Sequence, residues 1–147
     1  MDIAIRKAVV DDIESILKIY AQPSIDDGVM LNLDNAKKIF EIINNYPSYT
    51  IYVATINGEV VGTIAVLIMH NIGHLGSKSA VFESIAVLPD WQGKGIGKSM
   101  LRFATEKCKE AKCYKITLSA NIKRENAHKF YASLGFIQHG ISYKYLI

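Results

Sequence analysis

A mixed α/β domain around a largely antiparallel sheet is the fold class this sequence predicts, and three observations carry that expectation. Two β-branched runs, Tyr49 to Ile56 and Glu59 to Met69, are joined by Asn57-Gly58. Asn-Gly between such runs is a strong hairpin signal, because both residues tolerate the positive φ that a tight turn demands. Apolar residues at helical spacing alternate along the chain with further strand-like runs. A glycine-rich segment, Gln92-Gly93-Lys94-Gly95-Ile96-Gly97-Lys98, follows one of those runs and opens an amphipathic helix.

The elements follow in order. Ile3 to Ala8 alternates as a first strand. Asp11 is placed to cap a helix, with Glu14 three residues on as its capping-box partner. Ile13, Ile16, Leu17 and Tyr20 then fall on one face at i, i+3, i+4, i+7. Pro23 to Gly28 reads as a loop. Ala36, Ile39, Phe40 and Ile43 repeat the helical spacing, which Pro47 ends. After the hairpin, His70 to Lys78 is a polar loop and Ala80 to Leu88 the next strand. The helix after the glycines sets Gly97, Leu101, Ala104, Cys108 and Ala111 against an opposite face of Lys98, Arg102, Thr105, Glu106 and Lys109. Tyr114 to Ala120 is a further strand. Ala127, Phe130, Tyr131 and Leu134 line the inner face of a last helix that Gly135 terminates. Phe136 to His139 and Ser142 to Leu146 read as a closing pair of strands.

Bulk properties narrow the function. At 147 residues the chain is expected to be one domain, 1–147. Its composition, half hydrophobic and 21% charged, is that of an ordinary globular protein. The net charge of +3 carries no dense Lys/Arg run, so nucleic acid and anionic membranes are not expected partners. Cys108 and Cys113 lack metal-cluster or redox-pair spacing. The N-terminus is strand-like rather than signal-like, and no apolar run is long enough to span a bilayer. A cytoplasmic setting is the expectation, and no metal is expected.

Close glycines at a helix start present backbone N–H groups to an anion at the positive end of the helix dipole. Two common phosphate loops fail on spacing. The dinucleotide fingerprint needs Gly-x-Gly-x-x-Gly and an acid about 20 residues later. Here the glycines run 93, 95 and 97, and Lys115 and Ile116 stand where the acid belongs. The P-loop needs a glycine five residues before Gly97, where the chain has Gln92.

The segment Val87 to Gly97 instead resembles the pyrophosphate loop of the GNAT superfamily of N-acetyltransferases, whose Gln/Arg-x-x-Gly-x-Gly/Ala pattern is met by Gln92 to Gly97. Asn126-Ala127-His128-Lys129-Phe130-Tyr131, followed by Leu134-Gly135-Phe136, is similar to the family's next motif. The order of elements extends the resemblance over nearly the whole chain. Within the family, the Cys113-Tyr114-Lys115 entry and the His-rich loop look most like the glucosamine-6-phosphate acetyltransferase branch.

The resemblance implies acetyl-CoA as co-substrate and acetyl transfer to a primary amine by direct attack, with no metal. It assigns Gln92, Gly93, Lys94, Gly95, Ile96, Gly97 and Lys98 to the coenzyme A diphosphate; the bland alternative is a glycine turn that lets the helix pack closely. Ile85, Ala86 and Val87 would pair with pantetheine and offer an N–H to the thioester oxygen, in a strand that is often bulged in the family; otherwise they are plain core strand. Glu83 is the expected general base. Simple alternation puts it with Val81, Ile85 and Val87 on an apolar face, where a carboxylate's proton affinity rises. A solvent-exposed or Lys-paired Glu is the alternative. His70 and His74 are rival bases or merely solvated loop residues. Tyr131 would protonate the departing thiolate, or else fill the core. Asn126 would bond to the pantetheine arm, or else help start its helix. Cys108 belongs to the buried stripe, and neither cysteine has a cue for a reactive thiolate.

The expected acceptor is a small-molecule amine, with variable loops such as Gln22 to Leu33 and His70 to Lys78 forming its pocket. Two other readings stay open: a non-catalytic acyl-CoA-binding sensor or interaction module, and a protein or peptide N-acetyltransferase. The resemblance also leaves a homodimer open.

Overall fold

The computed structural model describes residues 1–23 and 25–147. Ser24, within the expected Pro23 to Gly28 loop, lies outside the described residues. The chain resolves into two compact units, Met1–Thr117 and Leu118–Ile147.

The first unit is built on a sheet in the order β1-β2-β3-β4-β5: β1 (Ala4–Lys7), β2 (Tyr49–Ile56), β3 (Glu59–Met69), β4 (Lys78–Val87) and β5 (Cys113–Leu118). The β1–β2, β2–β3 and β3–β4 pairs are all antiparallel. The hairpin stands where the Asn-Gly signal put it, with Asn57 at φ 51° and Gly58 at φ 84°.

Register divides the sheet into two faces. Val53, Thr63 and Ala86 lie on one, where α1 (Ile13–Tyr20) and α2 (Leu33–Asn44) bury Ile13, Ile16, Leu17, Ile19, Ala36 and Phe40 against Val53, Val60 and Ala86. Tyr52, Ile64, Val66 and Phe82 lie on the other. There α3 (Ile96–Glu110) buries Ile96, Met100, Leu101, Ala104 and Cys108, and Phe103 meets Tyr52 edge to face at 5.1 Å. Gly62 makes this packing fit: a Cβ there would stand 3.0 Å from the Met100 methyl and 3.2 Å from the Ala86 carbonyl.

The entry to α1 departs from the sequence expectation. Asp11 makes no cap. A short 3-10 turn over Val10–Asp12 precedes the helix, and Asp12 accepts the Val9 N–H at 2.8 Å. The same carboxylate takes a bidentate guanidinium pair from Arg6 at 2.6 and 2.8 Å. Glu14 pairs with Lys18 one turn on instead of capping. The buried, doubly bonded carboxylate prevails because it satisfies an orphan N–H and a cation together. α2 is capped as the rules prescribe, Asn32 Oδ1 accepting from the Asp34 and Asn35 amides.

The second unit contains α4 (Glu125–Ser133), closed by Gly135 at φ 88°. The expected closing strands, Phe136 to His139 and Ser142 to Leu146, are not formed: no residue after α4 is in a strand. Alternation makes a strand only where a neighbour takes the ladder bonds and covers the apolar face. Ile137, Ile141, Tyr143, Tyr145 and Leu146 stay largely exposed. No helix among the described residues is long and apolar enough to cross a membrane.

Candidate active site

The glycine segment folds as its composition requires. A 3-10 turn over Pro89–Trp91 ends β4. Gly93 at φ 75° and Gly95 at φ 83° then take left-handed conformations that a side chain would strain. Gly95 is the N-cap of α3 with no side-chain cap. The first bond of the helix, Ser99 N–H to the Gly95 carbonyl at 3.0 Å, leaves the preceding amides of Ile96, Gly97 and Lys98 pointing out of its N-terminus. Open space stands where a Cβ at Gly93 or Gly95 would be. Lys94 and Lys98 are exposed nearby, Lys94 with its ammonium 4.7 Å from the centre of the Trp91 ring. Bare amides, positive charge and room for a ligand are what a diphosphate requires.

Gln92 does something the sequence did not reveal. Its side-chain amide donates back to the Val87 carbonyl at 3.0 Å and approaches Gln22 Oε1 at 3.4 Å. The side chain therefore ties the loop to the end of β4.

β4 itself is bulged. Ala65 faces Glu83 and Thr63 faces Ala86, so Ser84 and Ile85 together oppose the single residue Ile64. Ser84 sits at φ 50°, a strained value for a residue with a side chain. A bulge leaves backbone groups unpaired and turns the strand.

The bulge also corrects the predicted face of Glu83. The extra residue reverses alternation beyond it, so Glu83 shares its face with Val81 and Ala86, while Val87, paired with Gly62, lies on the α3 face. Glu83 is exposed rather than buried among apolar neighbours. Of the expected pantetheine-pairing residues, Ile85 is half-buried within the bulge, Ala86 is buried against the α1 side, and Val87 is half-buried.

Three further residues were not read as site residues from the sequence. Tyr49 feels the Glu83 carboxylate, and burial followed by that charge raises its phenol above the ordinary value. Tyr20, at the end of α1, has its phenol raised mainly by burial, with the Thr63 and Ser84 side chains acting in the opposite sense. Thr63 is wholly buried, and its Oγ1 has no hydrogen-bond partner among the described residues.

His70 and His74 are exposed, and the His74 ring lies 4.7 Å from that of Tyr114. Cys108 is buried, with its thiol pushed up to about 12 by desolvation and then by Cys113; this is a core cysteine and not a nucleophile.

In the second unit, Tyr131 is half-buried on α4. Its ring meets Phe130 at 5.4 Å and Phe136 at 6.0 Å. Burial raises its phenol, with Arg124 acting in the opposite sense, which keeps the hydroxyl protonated at neutral pH. Asn126, in the first turn of α4, is exposed and lines an open hollow of about 420 Å³ with Lys123, Arg124, Glu125 and Ala127.

Comparison with known proteins shows the family. The profile of the acetyltransferase (GNAT) family matches residues 13–136. Over 82 residues, 56% of this chain and 53% of the relative, the sequence is 38% identical to an aminoalkylphosphonate N-acetyltransferase of Salmonella typhimurium. It is 29% identical over 82 residues to a glucosamine 6-phosphate N-acetyltransferase of Trypanosoma brucei brucei, covering 56% of this chain and 54% of that protein. The chain thus spans about half the length of these curated relatives. A solved structure described as a putative acetyltransferase from Agrobacterium tumefaciens superposes with a TM-score of 0.91 at 30% identity, covering 98% of this chain and 99% of that one.

Proposed function

The chain belongs to the acetyltransferase (GNAT) family, and from that premise we propose that it transfers the acetyl group of acetyl-CoA to a small primary amine. The observation that carries the reading is the β4 bulge lying directly before an open glycine loop at the N-terminus of α3. The amides of Gly93 to Lys98, with Lys94 and Lys98, receive the diphosphate. The backbone of Ile85 to Val87 pairs with the pantetheine arm, and an N–H there donates to the thioester oxygen as negative charge develops on it. One such donor is worth about 3–4 kcal/mol of transition-state stabilisation.

Glu83 takes a proton from the attacking amine, directly or through one water, as the N–C bond forms. The C–S bond breaks, and Tyr131 gives its proton to the departing thiolate. The raised Tyr131 phenol suits an acid that must be protonated before each turnover. Asn126 holds the arm near its sulfur end. Relatives named for aminoalkylphosphonate and glucosamine 6-phosphate support a small amine as acceptor.

The test is thiol release from acetyl-CoA across amines, amino sugars and peptides. Turnover on a small amine is expected, with Glu83→Gln lowering kcat about 100-fold or more and flattening the basic rise of the pH profile. Tyr131→Phe should lower kcat about tenfold or more with little change in the acceptor KM. Tight acetyl-CoA binding with no turnover on any acceptor would make the chain a sensor. Turnover on peptides alone would move the acceptor class.

A further inference from the structure

Register sets two rows of side chains across one face of the sheet, and the second row stays half-open. Ile51, Ala65 and Glu83 form one row; Tyr49, Leu67 and Val81 form the next, one step toward the β3–β4 loop. Residues two apart in a strand share a face, so both rows lie on the side against which α1 and α2 pack. Farther along that face Val53, Thr63 and Ala86 are buried. Tyr49, Leu67 and Val81 are only half-buried, and Met69 beyond Leu67 is exposed at the rim. Tyr46, just past the end of α2, sets an exposed ring edge-on to Tyr49, with centroids 6.3 Å apart and planes at 80°. Asn71 bounds the far end, where its side-chain amide already donates to the Ser77 carbonyl at 2.8 Å and to Ser79 Oγ at 3.2 Å. The result is an apolar shelf that begins one row, about 6–7 Å, from Glu83. Glu83 is the single charged residue in the two rows. Its carboxylate attracts a cation, and neither row offers a cation to an anion.

We propose that this shelf is the acceptor subsite and that the acceptor is a primary amine with an apolar or aromatic body. Its ammonium is drawn to Glu83, and its body lies on Tyr49, Leu67 and Val81 with Tyr46 at the edge. The row spacing matches an amine nitrogen held at Glu83 with a short alkyl chain or one ring reaching over the second row. The tyrosine rings favour an aromatic body further, through edge and offset contacts. A phosphate or phosphonate on the acceptor would bring negative charge toward the Glu83 carboxylate over a surface with no counter-charge. The inference deepens the acetyl-transfer reading and rests on it for the role of Glu83.

Thiol release from acetyl-CoA in the full chain tests it with 2-phenylethylamine, hexylamine, ethanolamine and 2-aminoethylphosphonate as acceptors. The first two should exceed the last two in kcat/KM by about tenfold or more. Equal or better turnover of ethanolamine or the phosphonate would overturn the shelf and leave the acetyl-transfer reading standing. Tyr46→Ala removes an exposed ring, and Val81→Thr sets a hydroxyl into the same shape. Each should raise the phenylethylamine KM about fivefold, a larger change than in the KM of ethanolamine or acetyl-CoA. Equal changes in all three would count against the shelf as a loss of structure in general. Titration of methyl-labelled protein with phenylethylamine supplies a readout that needs no turnover. The NMR signals of the Leu67 and Val81 methyls should shift, while those of Leu101, buried under α3 on the other face, stay in place. Unmoved Leu67 and Val81 signals would overturn the proposal. Shifted signals with no turnover of any amine would instead remove the acetyl-transfer reading and leave the shelf as an amine-binding site.

Discussion

Asp12 illustrates how one residue's chemistry outweighs a sequence rule. A capping box at Asp11 and Glu14 is a sound reading of spacing, yet the side chain that turns inward is Asp12, because there it meets both Arg6 and the Val9 amide. The Arg6 hydrogen bond holds its carboxyl below the ordinary value, aided by the Val9 amide and opposed by burial. A carboxyl depressed in the folded state contributes stability that is present above its unfolded value and lost as pH falls through the folded one. Asp12→Asn should therefore cost about 1–3 kcal/mol at pH 7, and urea unfolding at pH 3 should show the gap to wild type narrowed. Glu83 carries the complementary lesson. Its residue type and place after Phe82 were legible in the sequence, but its face was not, because Ser84 takes a left-handed turn that no local pattern announces.

At the scale of elements, the joint between β4 and α3 concentrates the candidate chemistry. The glycines of the loop were readable because only glycine takes their backbone states without strain, and the structure puts Gly93 and Gly95 in those states. Gly95→Ala should destabilise the fold by about 1–2 kcal/mol, the steric cost of a Cβ in the left-handed region. The same Cβ would enter the open space beside the loop, so isothermal titration should show weaker acetyl-CoA binding as well. The bulge could be anticipated only through family resemblance. It arises from pairing, when two residues of β4 meet one of β3. The role of Gln92 was hidden likewise, since its partner Val87 is found only once the loop has folded back. Tyr20 read as the last position of an apolar helical face, and burial there raises its phenol above the ordinary value.

For the whole molecule, a ligand held by native strand and loop amides stabilises the fold by mass action. Acetyl-CoA at about 100 times its Kd should add about 2.7 kcal/mol and raise Tm by roughly 5–10 °C. A thermal shift series against free phosphate, pantetheine and acetyl-CoA would separate the contributions of loop and strand; a flat series would count against the site. The hairpin, the five strands through β5, the four helices and the glycine loop were all legible, because each rests on local periodicity or on a residue with special backbone freedom. The closing strands were misread for the converse reason: alternation at Phe136 to His139 and Ser142 to Leu146 is local, but a ladder partner is not. The sequence by itself determined the layered α/β order and the glycine-rich loop, and through family resemblance it named the candidate base and acid. Only the tertiary structure decided which face Glu83 occupies and where β4 bulges. Those features depend on register and on contacts between residues far apart in the chain, which no short window of sequence contains.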